Sequence, residues 1–169
     1  LVETPEDVDL LPFAPEEPIA FLTQTTLSVS EAQAVIDRLI QRFPDIASPP
    51  KEDICYATTN RQAAVKDLVD ECDALIVLGA PNSSNSNRLA EVALTIGCPK
   101  STLIQRAADL EDGWLDDVTK LGITAGASAP EILVQGLIDA LREKYDVTVE
   151  ERNVIDEDVT FSLPRALSA

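Results

Sequence analysis

The stretch that decides the fold runs from Asp73 to Leu94 and reads DALIVLGAPNSSNSNRLAEVAL. A continuous apolar run, ALIVL, is typical of a strand that is buried on both faces. Six small polar residues, 82–87, follow it. Apolar residues then recur at helical spacing, at Leu89, Val92 and beyond. The stretch therefore predicts a buried strand, a polar loop and an amphipathic helix, with Gly97 ending the helix.

The same unit of strand, polar loop and helix recurs on both sides of this stretch. Before it lie IAFLTQTTLSVSEAQAVIDRLIQRF (19–43) and DICYATTNRQAAVKDLVDEC (53–72). After it come a short strand, STLIQ (101–105), a weakly indicated short helix, DLEDGWLDDV (109–118), and LGITAGASAPEILVQGLIDALREKY (121–145). Two alternating runs after residue 145 predict edge strands or a tail that lies across the body.

Three of the predicted helices carry a capping-box signal near their start. In that motif a serine or threonine is followed three residues later by glutamine or glutamate. The pairs are Ser30 with Gln33, Thr59 with Gln62, and Ser128 with Glu131.

Alternating strands and helices predict an α/β fold, in which helices cover both faces of a mainly parallel sheet. Ligands bind such sheets at the carboxyl ends of the strands, and all the polar loops fall at those ends. One serine or asparagine would be enough to cap the helix after residues 82–87. The loop is therefore either an anion site at a helix N-terminus or an elaborate cap.

Charge and composition exclude several functions. The net charge of −17 opposes binding to nucleic acid or to an anionic membrane surface. No apolar run reaches the roughly 18 residues of a membrane span, and the acidic N-terminus does not resemble a signal peptide. Histidine is absent, which removes Ser-His-Asp and Cys-His mechanisms. Three cysteines without CxxC spacing fit a reducing compartment, so we expect a cytoplasmic protein.

The residues alone leave the role of Cys55 open. It is a packing residue, a thiolate metal ligand, or the nucleophile of a transferase or hydrolase activated by a lysine or a helix N-terminus. Cys72 and Cys98 are predicted to be structural. With Cys55 as a packing residue, the chain would be a doubly wound module that binds a phosphorylated metabolite.

Four words in order, FLTQTTLS, DICYATTNRQAAV, NSSNSNRLAEVA and GITAGASAPEILVQ, closely resemble the C-terminal half of the 4-hydroxy-3-methylbut-2-enyl diphosphate reductase (IspH/LytB) family. The resemblance covers Val2 to Tyr145. It implies α/β modules around a cavity that holds a [4Fe–4S] cluster with three cysteine ligands. It also implies a two-electron reductive dehydroxylation that yields isopentenyl and dimethylallyl diphosphate, the last step of the non-mevalonate isoprenoid pathway.

The resemblance implies a role for one residue or more in each word. Cys55 is the cluster ligand of the CYATTNRQ word. Thr25 lies near the substrate hydroxyl and the proton relay, and Thr26 supports it and contacts the substrate. The diphosphate of the substrate is expected on Ser83, Ser84, Asn85 and Ser128.

The family's other two cluster cysteines, its diphosphate-binding histidines and its proton-donating glutamate belong to an N-terminal half that this sequence lacks. The resemblance therefore implies the end of one module in 1–50, a complete C-terminal module in 51–145 and a tail in 146–169. The first residue is Leu1 and not methionine, which we take as a sign of processing or of a fragment. We expect the chain alone to be inactive. Its expected partners are the N-terminal half and a ferredoxin- or flavodoxin-type electron donor.

Overall fold

The computed structural model describes residues 1–49 and 53–155. The predicted α/β fold class is confirmed: within these ranges, helices cover a parallel sheet of three strands. The predicted alternation of strands and helices holds from residue 74 to residue 144, whereas the first three elements are all helices. The elements are α1 Pro5–Asp9, α2 Val29–Arg42, α3 Tyr56–Val69, β1 Ala74–Leu78, α4 Ser84–Thr95, β2 Ser101–Ile104, β3 Leu121–Ala125 and α5 Glu131–Lys144.

Strand β1 lies at the centre of the described sheet. The order is β2–β1–β3, and both pairings are parallel. Every residue of β1 is buried. Alternate residues therefore serve two cores, since successive side chains of a strand point to opposite faces. This explains why an unbroken apolar run stands here.

Helices cover the two faces of the sheet. Leu75 and Val77 pack with residues of α3 and α4, among them Val65 and Leu89. On the other face, residues of β1, β2 and α5 share a second core. Burying each such side chain stabilises the fold by about 1.5–3 kcal/mol. The fully or nearly buried members of the second core are Ile76, Leu78, Ile104, Leu137 and Leu141.

The segment before residue 50 has a core of its own, where α1 and α2 pack around Val8, Leu39 and Phe43. The strand predicted from residue 19 does not form. A single parallel bridge joins Ala20 to Ala47 there, and it is an isolated one. A regular strand needs a ladder of backbone hydrogen bonds to a neighbouring strand. In the described residues, that bridge is the one strand-like pairing of this stretch.

Gln62 joins this first segment to the sheet module. Its Nε2 donates to the Leu27 carbonyl at 2.8 Å, and its Oε1 accepts from the Val29 amide at 3.0 Å. The Thr23 amide donates to Asp53 Oδ2 at 2.9 Å. Gln62 is buried, and its side-chain amide hydrogen-bonds to the first segment instead of capping α3. The predicted capping role is therefore wrong.

The other capping predictions also need correction. Helix α2 begins after Ser28 and not after Ser30, because Gln62 already satisfies the amide of Val29. Helix α3 begins after Cys55, one turn before Thr59.

Helix α5 begins after Pro130, so Ser128 does not cap it. A proline disfavours helical geometry in the residue before it, which keeps Ala129 out of the helix.

Helix α4 ends as predicted, with Gly97 in the left-handed region at φ 107°. The Cys98 amide donates to the Ala93 carbonyl at 2.9 Å, and the Gly97 amide donates to the Leu94 carbonyl at 3.1 Å. These two bonds form a Schellman motif, which satisfies carbonyls at the end of the helix.

The prediction of a short helix over 109–118 is wrong. A 3-10 turn spans Ala107–Asp109, and the rest forms turns in which Gly113 and Asp117 have positive φ. Lys100 Nζ donates to the carbonyls of Trp114, at 2.9 Å, and Asp116. These two bonds tie the turns to the residue just before β2.

The predicted edge strands after residue 145 do not form between 146 and 155, where the chain lies across the body as a tail. Val147 packs against the core that contains α5, and Arg152 pairs with Glu71 at 2.8 Å. The remainder of those runs, 156–164, falls outside the described residues. Within the ranges 1–49 and 53–155, none of the helices combines the length and apolarity that a membrane crossing requires.

Asp73, just before β1, is expected to make stability pH-dependent. The Thr119 hydroxyl and the amides of Thr119 and Lys120 donate to it, which lowers the pKa of Asp73 to about 2. A depressed carboxyl pKa contributes stability that is present above the unfolded value near 4 and is lost as pH falls towards 2. Asp73→Asn should therefore lower the urea midpoint at pH 6, and its difference from the unmodified protein should shrink between pH 4 and 2. A difference that stays constant over this window would contradict the assignment.

Candidate functional site

Two polar loops lie side by side at the carboxyl ends of β1 and β3. These strands are paired in parallel, with Leu78 opposite Ala125. The Gly126 amide donates to the Leu78 carbonyl at 2.8 Å, so the loops that follow the strands start in contact. One loop leads into the N-terminus of α4 and the other into the N-terminus of α5, and the first turn of each helix carries amides without intrahelical partners.

Ser83 begins α4 as its N-cap. Its Oγ accepts from the Ser86 amide at 3.3 Å. The Asn87 side chain donates to the carbonyls of Pro81 at 2.8 Å and Ser83 at 2.9 Å, which fixes the turn. Ser84 is exposed at the first helical position. Part of the polar run therefore does cap the helix, but capping does not account for all of it.

Asn85 is the residue that capping leaves unexplained. Its side chain is buried, with 8% of the residue exposed, and in the described part of the chain neither amide atom has a hydrogen-bond partner. A Cβ placed on Gly126 would lie 3.7 Å from Asn85 Nδ2, so the amide faces the second loop. A buried polar group without a partner costs about 1–3 kcal/mol. Such a group next to a helix N-terminus indicates a ligand that supplies the missing bonds.

Ser86 lies between the two loops and was not singled out from the sequence. It is 1% exposed, and its Oγ donates to Ser83 Oγ at 3.0 Å. A Cβ on either Gly79 or Gly126 would approach Ser86 Oγ to less than 3.0 Å, closer than real Cβ contacts come. The glycine that follows each strand is the sequence signal for this close approach.

Ser128 lies in the turn that follows β3. The Ala129 amide donates to the Gly126 carbonyl at 2.9 Å and closes this turn, and Ser128 is exposed within it. The β1–β3 pairing thus brings the loop of Ser128 beside that of Ser83 and Asn85 through Gly126.

Cys55 and Thr25 lie together where the first segment meets α3. The Cys55 amide donates to the Thr25 carbonyl at 3.0 Å. Cys55 is half-buried at the N-cap of α3. The sequence had predicted it at the end of a strand, and that prediction is wrong. The positive end of the helix dipole favours negative charge at this position, which is the charge of a metal-bound thiolate. Thr25 is exposed and Thr26 half-buried.

Helix α3 connects these two groups of residues. Arg61, six residues along the chain from Cys55, donates from Nη1 to the Ala125 carbonyl at 2.8 Å. Ala125 ends β3 and immediately precedes the loop of Ser128. Helix α3 therefore carries Cys55 at its start and contacts, through Arg61, the end of the strand that leads into the second polar loop.

Cys72 and Cys98 lie elsewhere and have a different character. Both pack against the core between the sheet and α3 and α4. Burial, and secondarily the neighbouring Cys98, raises the pKa of the Cys72 thiol. The Cys98 thiol donates to the Lys100 carbonyl at 3.1 Å. Packed thiols of this kind fit the structural role that the sequence predicts for them.

A complete metal site is not formed by the residues that the structure describes. Nowhere in 1–49 or 53–155 do three or more histidine, cysteine, aspartate or glutamate side chains converge on one point. Cys55 offers one thiolate, which suits an iron–sulfur cluster only if further ligands come from elsewhere.

Comparison with known proteins shows extensive similarity. The model of the family described as "LytB protein" matches residues 1–142. The 4-hydroxy-3-methylbut-2-enyl diphosphate reductase of Roseobacter denitrificans is 53% identical over 167 residues, which are 99% of this chain and 53% of that protein. The enzyme of the same name from Pseudomonas putida strain W619 is 52% identical, over 99% of this chain and 53% of its own length. The chain thus spans about half the length of the curated relatives it matches.

A solved structure agrees with these sequence matches. The E-1-hydroxy-2-methyl-but-2-enyl-4-diphosphate reductase of Plasmodium falciparum superposes with a TM-score of 0.89 at 32% identity. The superposition covers 98% of this chain and 52% of the other. The fold described above is therefore similar to about half of that enzyme.

Proposed function

The chain belongs to the LytB protein family, and from this premise we propose that it is the C-terminal half of a 4-hydroxy-3-methylbut-2-enyl diphosphate reductase. In the proposed reaction the allylic C–O bond breaks, two electrons and two protons enter, and the hydroxyl group leaves as water. The products are isopentenyl and dimethylallyl diphosphate. The buried, unpartnered amide of Asn85 carries the proposal, because an anionic ligand at this place would complete its hydrogen bonding.

The diphosphate would bind between the two loops. The hydroxyls of Ser83, Ser84 and Ser128 and the amide of Asn85 offer neutral donors, and the N-terminus of α4 adds backbone N–H groups. These donors act locally, so they do not require a positive overall charge. The site would therefore hold an anion in a chain whose net charge is −17.

Cys55 would hold one iron of a [4Fe–4S] cluster, which supplies the two electrons when bound. The half-buried thiol at the N-terminus of α3 has the donor type that such clusters use. Further ligands would come from the N-terminal half, as partner of this chain. A ferredoxin- or flavodoxin-type protein in the cytoplasm would deliver the electrons.

The division of the chain follows from the same proposal. Residues 1–50 would complete a preceding module, 51–145 would form the last module, and 146–169 the tail. The separate core around Phe43 and the bridging amide of Gln62 support a boundary between the first two.

Anaerobic assembly of this chain with the N-terminal half tests the proposal. We expect a brown protein that consumes 4-hydroxy-3-methylbut-2-enyl diphosphate with a chemical reductant, while the chain alone shows no turnover and no stable four-iron cluster. A colourless assembly without turnover would contradict the reductase assignment. Pyrophosphate binding by such a colourless protein would favour a phosphometabolite-binding module instead.

Thr25 is proposed to act at the hydroxyl end of the substrate. Its backbone contacts Cys55, and its exposed hydroxyl both donates and accepts hydrogen bonds. Thr25→Val should lower kcat of the assembled enzyme by on the order of a hundredfold, the scale of a lost proton-transfer group, with a smaller change in KM. Thr148→Val, in the exposed tail, is the matched control. A higher KM at unchanged kcat would place Thr25 in binding and not in turnover.

A further inference from the structure

The hydroxyl of Ser83 has a constrained hydrogen-bond pattern. A serine hydroxyl has one hydrogen to donate and two lone pairs that accept. The Ser83 oxygen accepts from the Ser86 amide at 3.3 Å and from the Ser86 hydroxyl at 3.0 Å. With both lone pairs engaged, the hydroxyl hydrogen of Ser83 is what remains for a further partner. A phosphate oxygen can only accept, so this is the state of Ser83 that suits an anion.

The position of Ser86 is itself fixed. The side chain is 1% exposed and fills the space between the two glycines that follow β1 and β3. Those glycines are tied to the sheet, because the Gly79 amide donates to the Ile104 carbonyl at 3.0 Å and the Gly126 amide to Leu78 at 2.8 Å. The sheet therefore sets the place of the Ser86 side chain, because anchored backbone encloses it on both sides.

We propose that Ser86 is a positioning residue of the diphosphate site: by donating to Ser83, it commits the Ser83 hydroxyl to donating towards the ligand. Ser86 does not touch the ligand and acts through Ser83. The neighbouring Asn85, nine-tenths buried and unpartnered, independently indicates that a ligand binds here. The inference rests on the proposed function, since it needs the diphosphate site to exist.

A double-mutant cycle tests the inference, with calorimetric titration of inorganic pyrophosphate into the assembled protein. Ser83→Ala and Ser86→Ala should each weaken binding roughly tenfold, the scale of one charge-assisted hydrogen bond. The double variant should bind about as weakly as Ser83→Ala alone, because Ser86 has nothing to position once the Ser83 hydroxyl is gone. In the reductase assay, Ser86→Ala should raise KM and leave kcat unchanged.

Two further variants separate hydrogen bonding from packing. Ser86→Cys places a larger sulfur atom with a weak donor in the same space, so it should bind pyrophosphate as weakly as Ser86→Ala, and a thermal melt of the same samples separates the lost hydrogen bond from overpacking. Ser101→Ala removes a buried hydroxyl on β2 that has no partner in the described part of the chain, and it should leave binding unchanged.

The outcomes that overturn the inference differ from those that overturn the proposed function. Unmodified protein that does not bind pyrophosphate would remove both. Unmodified protein that binds, with Ser86→Ala binding equally well, would remove the inference alone. So would a double variant whose loss is the product of the single losses, or full recovery of binding in Ser86→Cys.

Discussion

Replacement of Cys55 by serine is expected to abolish the reductase activity of the assembled enzyme and to strip its visible absorbance. Serine offers a hard hydroxyl in place of the soft thiolate that iron–sulfur clusters require. The fold should not suffer. Cys55 occupies the N-cap of α3 without a side-chain cap bond, and serine is among the preferred residues at that position. A gain of roughly 0.5–2 kcal/mol in helix stability is the expected side effect.

Absorbance, iron and sulfide content, and turnover measured together check this result. Cys72→Ala and Cys98→Ala are the controls, because those thiols pack in the core between the sheet and the two helices. Both should retain the cluster, although each loses some packing. A Cys55→Ser enzyme that keeps four irons and its activity would refute the assignment of Cys55 as a ligand.

The double change Ser83→Ala with Asn85→Ala is expected to weaken diphosphate binding by on the order of a hundredfold or more. Each residue would contribute a hydrogen bond to an anion, at about 1.5–3 kcal/mol each, and about 1.4 kcal/mol corresponds to a tenfold change. The two effects on stability oppose one another. Loss of the Ser83 cap costs about 1 kcal/mol, whereas loss of the buried, unpartnered Asn85 amide relieves a penalty of similar size.

Titration with inorganic pyrophosphate and a thermal melt of the same samples check this second result. Asn82→Ala is the matched control, since it removes an exposed amide from the same loop. We expect the control to bind normally. Equal affinity of the double variant and the unmodified protein would exclude these loops as the diphosphate site.

The sequence was informative where one local pattern sufficed. Five consecutive apolar residues predicted β1, and Gly97 predicted the end of α4. The helix starts were harder, because the capping-box spacing also occurs where it has no capping role. At Ser30 a distant side chain, Gln62, had already satisfied the first amide, and at Ser128 the following proline moved the start of α5.

The site, too, was predicted only where a local pattern in the sequence identified its residues. Family words pointed to Cys55, Asn85 and Ser128, whose roles stay proposals. Ser86 could not be separated from five similar neighbours, because its burial depends on Gly79 and Gly126 meeting across paired strands. These glycines are far apart in the sequence, and only the register of β1 with β3 brings them together.

Helix α3 also sets the distance between Cys55 and the end of β3. It begins after Cys55, and Arg61 contacts the end of β3 about six residues further on, which is roughly 9 Å along the axis at 1.5 Å per residue. An α-helix cannot stretch without breaking its hydrogen bonds. In the proposed enzyme, the separation between the iron-bound end and the diphosphate-bound end of a substrate would then be set by secondary structure. A change in that spacing would require α3 to begin, or to contact β3, at a different residue.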